Sequence, residues 1–136
     1  MRQEKSCGAV VFTRIHGEIR YLLAQSRAGI YGFPKGHVEE NETEQETALR
    51  EIWEEVHIRP SFLDGFRMTE AYPLPKKGNI LKEAVYFLAE YQDQSVRIQK
   101  EELMEARLVS YEEAMTLLQH EGRRKVLREA HRFLCR

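Results

Sequence analysis

Three glutamates within five positions, Glu51, Glu54 and Glu55, are the feature that most constrains this chain. On an α-helix, at about 100° per residue, positions i, i+3 and i+4 share one face, so the three carboxylates crowd together. A hard divalent cation offsets the repulsion between such charges, whereas a solvated acidic face is the ordinary alternative. The residues around the cluster decide between the two interpretations.

The sequence predicts the helix that carries these carboxylates. Thr43 followed three residues later by Glu46 is a capping box, so the helix is expected to begin at Glu44 and to run to about Val56. Trp53 is interpreted as a core anchor. It belongs to an apolar arc beside the carboxylates that is expected to pack against the core, made of Ala48, Leu49, Ile52, Trp53 and Val56.

The remaining pattern is that of a mixed α/β chain. Apolar runs predict strands at residues 8–12, 21–25, 83–91 and 107–109, with a hairpin turn at residues 16–18 and a basic, turn-rich loop at residues 72–81. Ser110 with Glu113 predicts a second N-capped helix through about Gln119, and a last helix is expected at residues 123–134.

Composition limits the class of protein. A chain of 136 residues, 42% of them hydrophobic, is long enough for one core, which predicts a single domain over residues 1–136. The net charge of −1 gives no general attraction to nucleic acid or to anionic membranes. The chain has no apolar run long enough for a membrane span and no apolar signal after Met1, and Cys7 and Cys135 lack metal-ligand spacing. A cytoplasmic protein with free thiols is therefore expected.

The spacing around the glutamate cluster closely resembles the Nudix box, G-x5-E-x7-R-E-U-x-E-E-x-G-U with U aliphatic. The matching residues are Gly36, Glu42, Arg50, Glu51, Ile52, Glu54, Glu55 and Ile58. His57 stands where the pattern has a glycine, which normally forms a left-handed helix C-cap, and His is among the few other residues that enter that region with modest strain. The resemblance implies an α/β/α sandwich with a mixed sheet and metal-dependent hydrolysis of a nucleotide polyphosphate anhydride.

The same resemblance implies roles for individual residues. The carbonyl of Gly36 and the carboxylates of Glu51 and Glu55 are expected to bind Mg²⁺, with Mn²⁺ as the alternative metal. Glu54 is either a further ligand or the general base that accepts a proton from the attacking water. A fourth acidic ligand is expected beyond the box, where Glu102 is favoured over its neighbour Glu101. The expected catalytic residues are thus Glu51, Glu54 and Glu102.

Flanking segments resemble the asymmetric diadenosine tetraphosphate hydrolases over nearly the whole chain, most clearly at residues 33–39, 85–90 and 130–135. Those enzymes cut a dinucleoside tetraphosphate into a nucleoside triphosphate and a monophosphate by attack of water on phosphorus. The resemblance places Lys35, His37 and Lys82 near the phosphate chain and Tyr86 under an adenine. On an alternating strand, Tyr86 is equally well interpreted as a core residue.

Two other functions stay open at this stage. A pyrophosphohydrolase acting on an RNA 5′ end or on another nucleoside polyphosphate shares the box, but RNA favours a broader basic surface. Only one basic cluster is available for it, consisting of Arg123, Arg124, Lys125, Arg128 and Arg132, and this is also what the solvated face of an amphipathic helix looks like. A nucleotide sensor is disfavoured, because it has no chemical need for all three box glutamates. The expected partner is therefore a small nucleotide, without a membrane and without nucleic acid other than an RNA 5′ end.

Overall fold

The structure is a computed structural model that describes residues 2–74, 78 and 80–136. The described residues form, in chain order, β1 (Arg2–Ile15), β2 (Glu18–Ser26), β3 (Tyr31–Gly32), β4 (Lys35–His37), α1 (Glu44–Val56), β5 (Ser61–Phe62), β6 (Met68–Leu74), β7 (Ile80–Glu90), β8 (Leu103–Val109), α2 (Tyr111–Leu117) and α3 (Glu121–Leu134).

Strand β1 organises a mixed sheet. It runs parallel to β7 along most of its length and antiparallel to β2 in its second half, where Val11 faces Leu22. Its first half pairs instead with the short β4, in which Gly36 faces Cys7. The outer strands complete the sheet, since β8 and β3 pair with β2, and β5 and β6 pair with β7. Because β1 changes partner midway, β4 is brought to the start of α1.

Both faces of the sheet are covered by helices. Alternate residues of β1 divide between two buried clusters: Val10 and Phe12 pack with α2 and α3, whereas Ala9 and Val11 pack with α1. A strand that is buried on both faces reads as a continuous apolar run, which explains residues 8–12. The predicted α/β/α sandwich with a mixed sheet is confirmed.

The helices agree closely with the sequence predictions. Helix α1 has the predicted bounds and the complete capping box between Thr43 and Glu46. Ser110 caps α2 through a hydrogen bond from the Glu113 backbone, but this helix ends at Leu117, two residues earlier than predicted. Helix α3 begins two residues earlier than predicted.

Two sequence interpretations are corrected. Trp53 is not a core anchor, since it is 40% exposed, and Leu49 on the same helix is 39% exposed. Only the stripe of Ala48, Ile52 and Val56 faces the sheet. The ends of the segment 72–81 belong to strands β6 and β7 rather than to a loop, and residues 75–77 and 79 lie outside the described residues.

Both cysteines are free thiols. Cys7 is buried in β1, and burial raises the pKa of its thiol to about 11. Cys135 is exposed at the end of α3. Among the described helices, none has the length and hydrophobicity required to cross a bilayer.

Candidate active site

Arg50 organises the acidic face of α1. Its Nε and Nη2 donate to the two carboxylate oxygens of Glu42 at 2.6 and 3.0 Å, and Nη2 also donates to the His37 carbonyl at 2.9 Å. Its Nη1 reaches Glu51 at 2.7 Å and Glu54 at 3.3 Å. These hydrogen bonds lower the pKa of Glu42 to about 2. One guanidinium thus ties the loop before α1 to two of the three clustered carboxylates.

Gly36 lies directly against the carboxylate of Glu51. A Cβ atom at position 36 would stand 2.0 Å from Glu51 Cδ and 2.1 Å from its Oε1. No side chain fits in that space, so the glycine lets the backbone of β4 approach the carboxylate. This contact brings the backbone of β4 next to the carboxylate of a box glutamate.

Glu55 is the most deeply buried of the three clustered carboxylates, with 7% of its surface exposed. Its pKa is raised to about 9, first by burial and then by the negative charges of Glu51 and Glu102, while a hydrogen bond from the Lys35 backbone opposes the rise. Burial also raises the pKa of Glu51. The cluster is therefore short of positive charge at its buried end.

The predicted site residues meet in a cavity of about 350 Å³, here called the central cavity. Its lining contains every residue predicted to bind metal or phosphate except the buried Glu55, namely Lys35, Gly36, His37, Glu51, Glu54, Lys82 and Glu102. Glu101, the rival of Glu102, lies elsewhere, beside Trp53 and His57. The geometry therefore favours Glu102 as the fourth acidic residue.

Two further cavities adjoin the central one. The inner cavity, of about 270 Å³, combines apolar residues that include Ile30, Phe33 and Leu103 with four charged ones, Lys35, Glu55, Glu102 and Arg123. The lateral cavity, of about 510 Å³, is lined by Trp53, Glu54, His57, Ile98, Gln99, Lys100 and Glu101.

Lys35 is held at the boundary of the central and inner cavities. Its Nζ donates to the hydroxyl of Tyr72 at 2.8 Å and lies 5.3 Å from the centre of that ring. Burial and the nearby charge of Arg123 lower its pKa to about 8. Lys82 on β7 faces Tyr72 across the sheet. Both lysines line the central cavity together with the carboxylates, where they can neutralise phosphate charge.

Tyr86 is a core residue here, which was the second interpretation that the sequence allowed. It is 0% exposed, its ring meets Phe33 edge to face at 5.3 Å, and its hydroxyl donates to Glu70 at 3.2 Å. No ring face is available to an adenine.

Three residues that the sequence analysis missed adjoin Lys35. Glu70 and Tyr72 come from β6, and Arg123 from α3 lies 3.8 Å from Glu70 and 5.8 Å from the Tyr72 ring. The sequence signal was weak, because Tyr72 and Arg123 are 51 positions apart and only the fold brings them together.

Three other arginines of the basic cluster on α3 form ion pairs within the helix. Arg124 and Arg128 pair with Glu121 at 3.7 and 3.2 Å, and Arg132 pairs with Glu129 at 2.9 Å. Such pairing on one helix is typical of a solvated face.

His57 takes over the role of the box glycine. It caps α1 in the left-handed conformation, with φ 60° and ψ 37°, and its backbone donates to Trp53 O at 2.9 Å. Its ring Nδ1 lies 2.9 Å from the carbonyl oxygen of Arg97. The cap geometry therefore survives the substitution.

The residues present fit a hard divalent cation. All candidate donors are oxygens, and Gly36 lets the backbone of β4 approach the Glu51 carboxylate more closely than any side chain would allow. Within the described residues, no three acidic, histidine or cysteine side chains already stand in metal-ligand geometry. Glu51 and Glu54 instead accept hydrogen bonds from Arg50.

Comparison with known proteins gives a consistent result. The family model of the NUDIX domain matches residues 4–130. The chain is 38% identical to the asymmetrical bis(5′-nucleosyl)-tetraphosphatase of Rattus norvegicus, covering 96% of this chain and 95% of that protein. It is 35% identical to the NAD-capped RNA hydrolase NudC of Erwinia tasmaniensis, but spans only 37% of that protein. The crystal structure of a C. elegans Ap4A hydrolase binary complex matches with a TM-score of 0.89 and 26% identity, covering 97% of this chain and 98% of that one.

Proposed function

The chain belongs to the Nudix hydrolase family, and we propose from this that it hydrolyses diadenosine tetraphosphate to ATP and AMP. The observation that carries the proposal is the central cavity, which is lined both by the carboxylates of Glu51, Glu54 and Glu102 and by Lys35 and Lys82. A polyphosphate anhydride needs this arrangement, with positive charge for its oxygens and carboxylates for a cation and a water. The 38% identity to a tetraphosphatase over 96% of the chain supports this choice of substrate.

Mg²⁺ is the proposed metal, with Mn²⁺ as the alternative, because the donors are all hard oxygens. The Gly36 carbonyl and the carboxylates of Glu51, Glu55 and Glu102 would hold it. When bound, the metal neutralises phosphate oxygens and lowers the pKa of a coordinated water. The role of Glu54 is still either ligation or proton acceptance.

The protein side of the reaction follows from these positions. Lys35, His37 and Lys82 bind the phosphate chain and hold the scissile bond over the carboxylates. A water oxygen attacks phosphorus, its proton passes to a glutamate, and the bridging oxygen leaves with the departing phosphate chain. Arg50 keeps Glu51 and Glu54 on the same side of α1 throughout, so it is a positioning residue.

We also propose that the chain is a single domain and acts in the cytoplasm. The two core clusters lie on the two faces of one sheet, which supports a single domain. Two free cysteines are typical of a reducing compartment.

The test is incubation of the protein with diadenosine tetraphosphate and Mg²⁺ in oxygen-18 water, followed by chromatography and mass spectrometry. ATP and AMP, one of them labelled, are expected, and the labelled product identifies the phosphorus that water attacks. Two molecules of ADP would contradict the proposal. Absence of turnover, together with orthophosphate or pyrophosphate release from triphosphorylated RNA, would replace it with RNA 5′-end processing.

Variants show whether the activity belongs to this site. Glu54→Gln should remove most turnover and leave the unfolding temperature nearly unchanged, because an exposed carboxylate contributes little packing. Glu40→Gln is the matched control, since Glu40 is exposed in the loop before α1 and is not among the described residues lining the central cavity. Equal activity in both variants would refute the assignment of Glu54.

A further inference from the structure

The three cavities form one continuous row. The central cavity shares Lys35 and Glu102 with the inner cavity, and it shares Glu54 and Gln99 with the lateral cavity. The cavity that holds the carboxylates and lysines therefore adjoins one further cavity through each of these residue pairs. A dinucleoside polyphosphate has the same order of parts, with a base at each end and the phosphates between them.

The lateral end of this row carries the only tryptophan of the chain. Trp53 and Glu54 both line the lateral cavity, so a group stacked on the indole would be close to a catalytic carboxylate. Trp53 is 40% exposed, and its side chain lines the lateral cavity. Its exposure on the wall of a cavity is what a stacking platform requires.

The other contacts of the indole leave the cavity side available. The guanidinium of Arg59 lies over the ring at 4.2 Å, yet Arg59 is not among the described residues that line the lateral cavity. His57, which does line it, meets the ring at 5.3 Å with the planes tilted by 57°. Arg59 thus contacts the indole without lining the lateral cavity, whereas His57 belongs to the cavity wall beside the ring.

We propose that the lateral cavity binds the second nucleoside of the substrate by stacking its base on Trp53. The inference rests on the proposed function, because only a substrate with two nucleosides places a base on each side of the phosphates. The inner cavity, whose wall includes Ile30, Phe33 and Leu103, then receives the first nucleoside. Aromatic stacking tolerates any base, so this subsite selects for the presence of a second base rather than for its identity.

The emission of Trp53 tests the proposal directly, since no other tryptophan contributes. The probes are two uncleavable analogues with methylene bridges in the phosphate chain, one with two adenosines and one with a single adenosine, each added with Mg²⁺. Quenching by the two-adenosine analogue, with little change for the other at saturation, is expected. Equal quenching by both analogues, or none by either, would overturn the proposal.

Binding to variants separates stacking from a structural role. In calorimetry, Trp53→Ala should lower the affinity for the two-adenosine analogue by about 5-fold to about 100-fold and leave the affinity for the one-adenosine analogue unchanged. Leu49→Ala is the control, because Leu49 lies one turn earlier on α1 with nearly the same exposure and lines none of the three cavities. Trp53→Phe, which keeps a ring and part of the affinity, replaces Trp53→Ala if that variant does not fold.

Loss of affinity for both analogues in Trp53→Ala would mean that the indole only supports the end of α1, and the proposal would fall. The failure of the proposed function looks different: diadenosine tetraphosphate would not be cleaved, whatever the fluorescence result. Turnover without selective quenching refutes the subsite alone. Selective quenching without turnover supports the subsite and refutes the activity.

Discussion

The contact between Gly36 and Glu51 makes Gly36→Ala the most informative single substitution. The new Cβ would lie 2.0 Å from Glu51 Cδ, whereas ordinary contact begins at about 3.4 Å, so the carboxylate must move by about 1.4 Å. That shift breaks the 2.7 Å hydrogen bond between the Glu51 carboxylate and Arg50 and moves the carboxylate away from its position beside β4. Because misplacement of a reacting group by about 1 Å costs about 100-fold in rate, kcat should fall by about 100-fold or more.

The assay is steady-state hydrolysis of diadenosine tetraphosphate with Mg²⁺, accompanied by Mn²⁺ titration and thermal unfolding. Only the end of a side chain must move, so the unfolding free energy should fall by no more than about 1 kcal/mol. A value of kcat within about threefold of the wild type would refute the reasoning, as would a loss of activity explained by unfolding.

Gly8→Ala is the matched contrast. Its Cβ would also meet an atom at 2.0 Å, but that atom is the backbone oxygen of Pro34, which no rotamer change can move. The pairing of β1 with β4 must then shift, and a loss of about 3 kcal/mol of unfolding free energy is expected in denaturant melts. Similar stability of the two variants would show that the overlap distances do not govern the outcome.

Three further predictions concern stability. Glu44 has its pKa lowered to about 2 by hydrogen bonds from Arg67 and Lys5, so its contribution is present above about pH 4.5 and is lost as the pH falls toward 2. Urea melts of Glu44→Gln should therefore show about 1 kcal/mol less stability than the wild type at pH 7 and little difference near pH 2, whereas equal gaps at both would contradict the assignment. The pKa of Glu55 is shifted in the opposite direction, to about 9 in the folded protein, so the metal-free protein loses stability as the pH rises above about 4.5. Glu55→Gln should therefore gain about 2 kcal/mol of unfolding free energy at pH 7 in EDTA, while its turnover is lost. Thr43→Ala should cost about 1 kcal/mol in urea melts through loss of the capping box, and an unchanged midpoint would refute that role.

Features that depend on neighbours in sequence were predictable. The capping box of Thr43 and Glu46 and the spacing of the carboxylates on α1 are local, and the structure reproduces the predicted bounds of that helix. The apolar run 8–12 similarly predicted a strand, which the structure buries on both faces. The family resemblance then supplied the arrangement of the layers.

Features that depend on how elements pack were not predictable. Strand β6 was missed because it pairs only with β7 and contains Pro73, which an edge strand tolerates but which reads as a turn. It contributes Glu70 and Tyr72 to the site, and their partner Arg123 arrives from α3. Trp53 was misassigned because the apolar arc of α1 is wider than the stripe that the sheet covers.

The two cysteines differ so much in accessibility that thiol reagents should label the folded protein at only one of them. Cys7 is 0% exposed with a raised thiol pKa, and a maleimide cannot reach it without unfolding. Cys135 is exposed at the far end of α3, roughly 18 Å along the helix axis from Arg123 at 1.5 Å per residue. A dye or a surface tether attached there would leave the groove open, so the unmodified sequence is suited to single-molecule measurements of substrate binding.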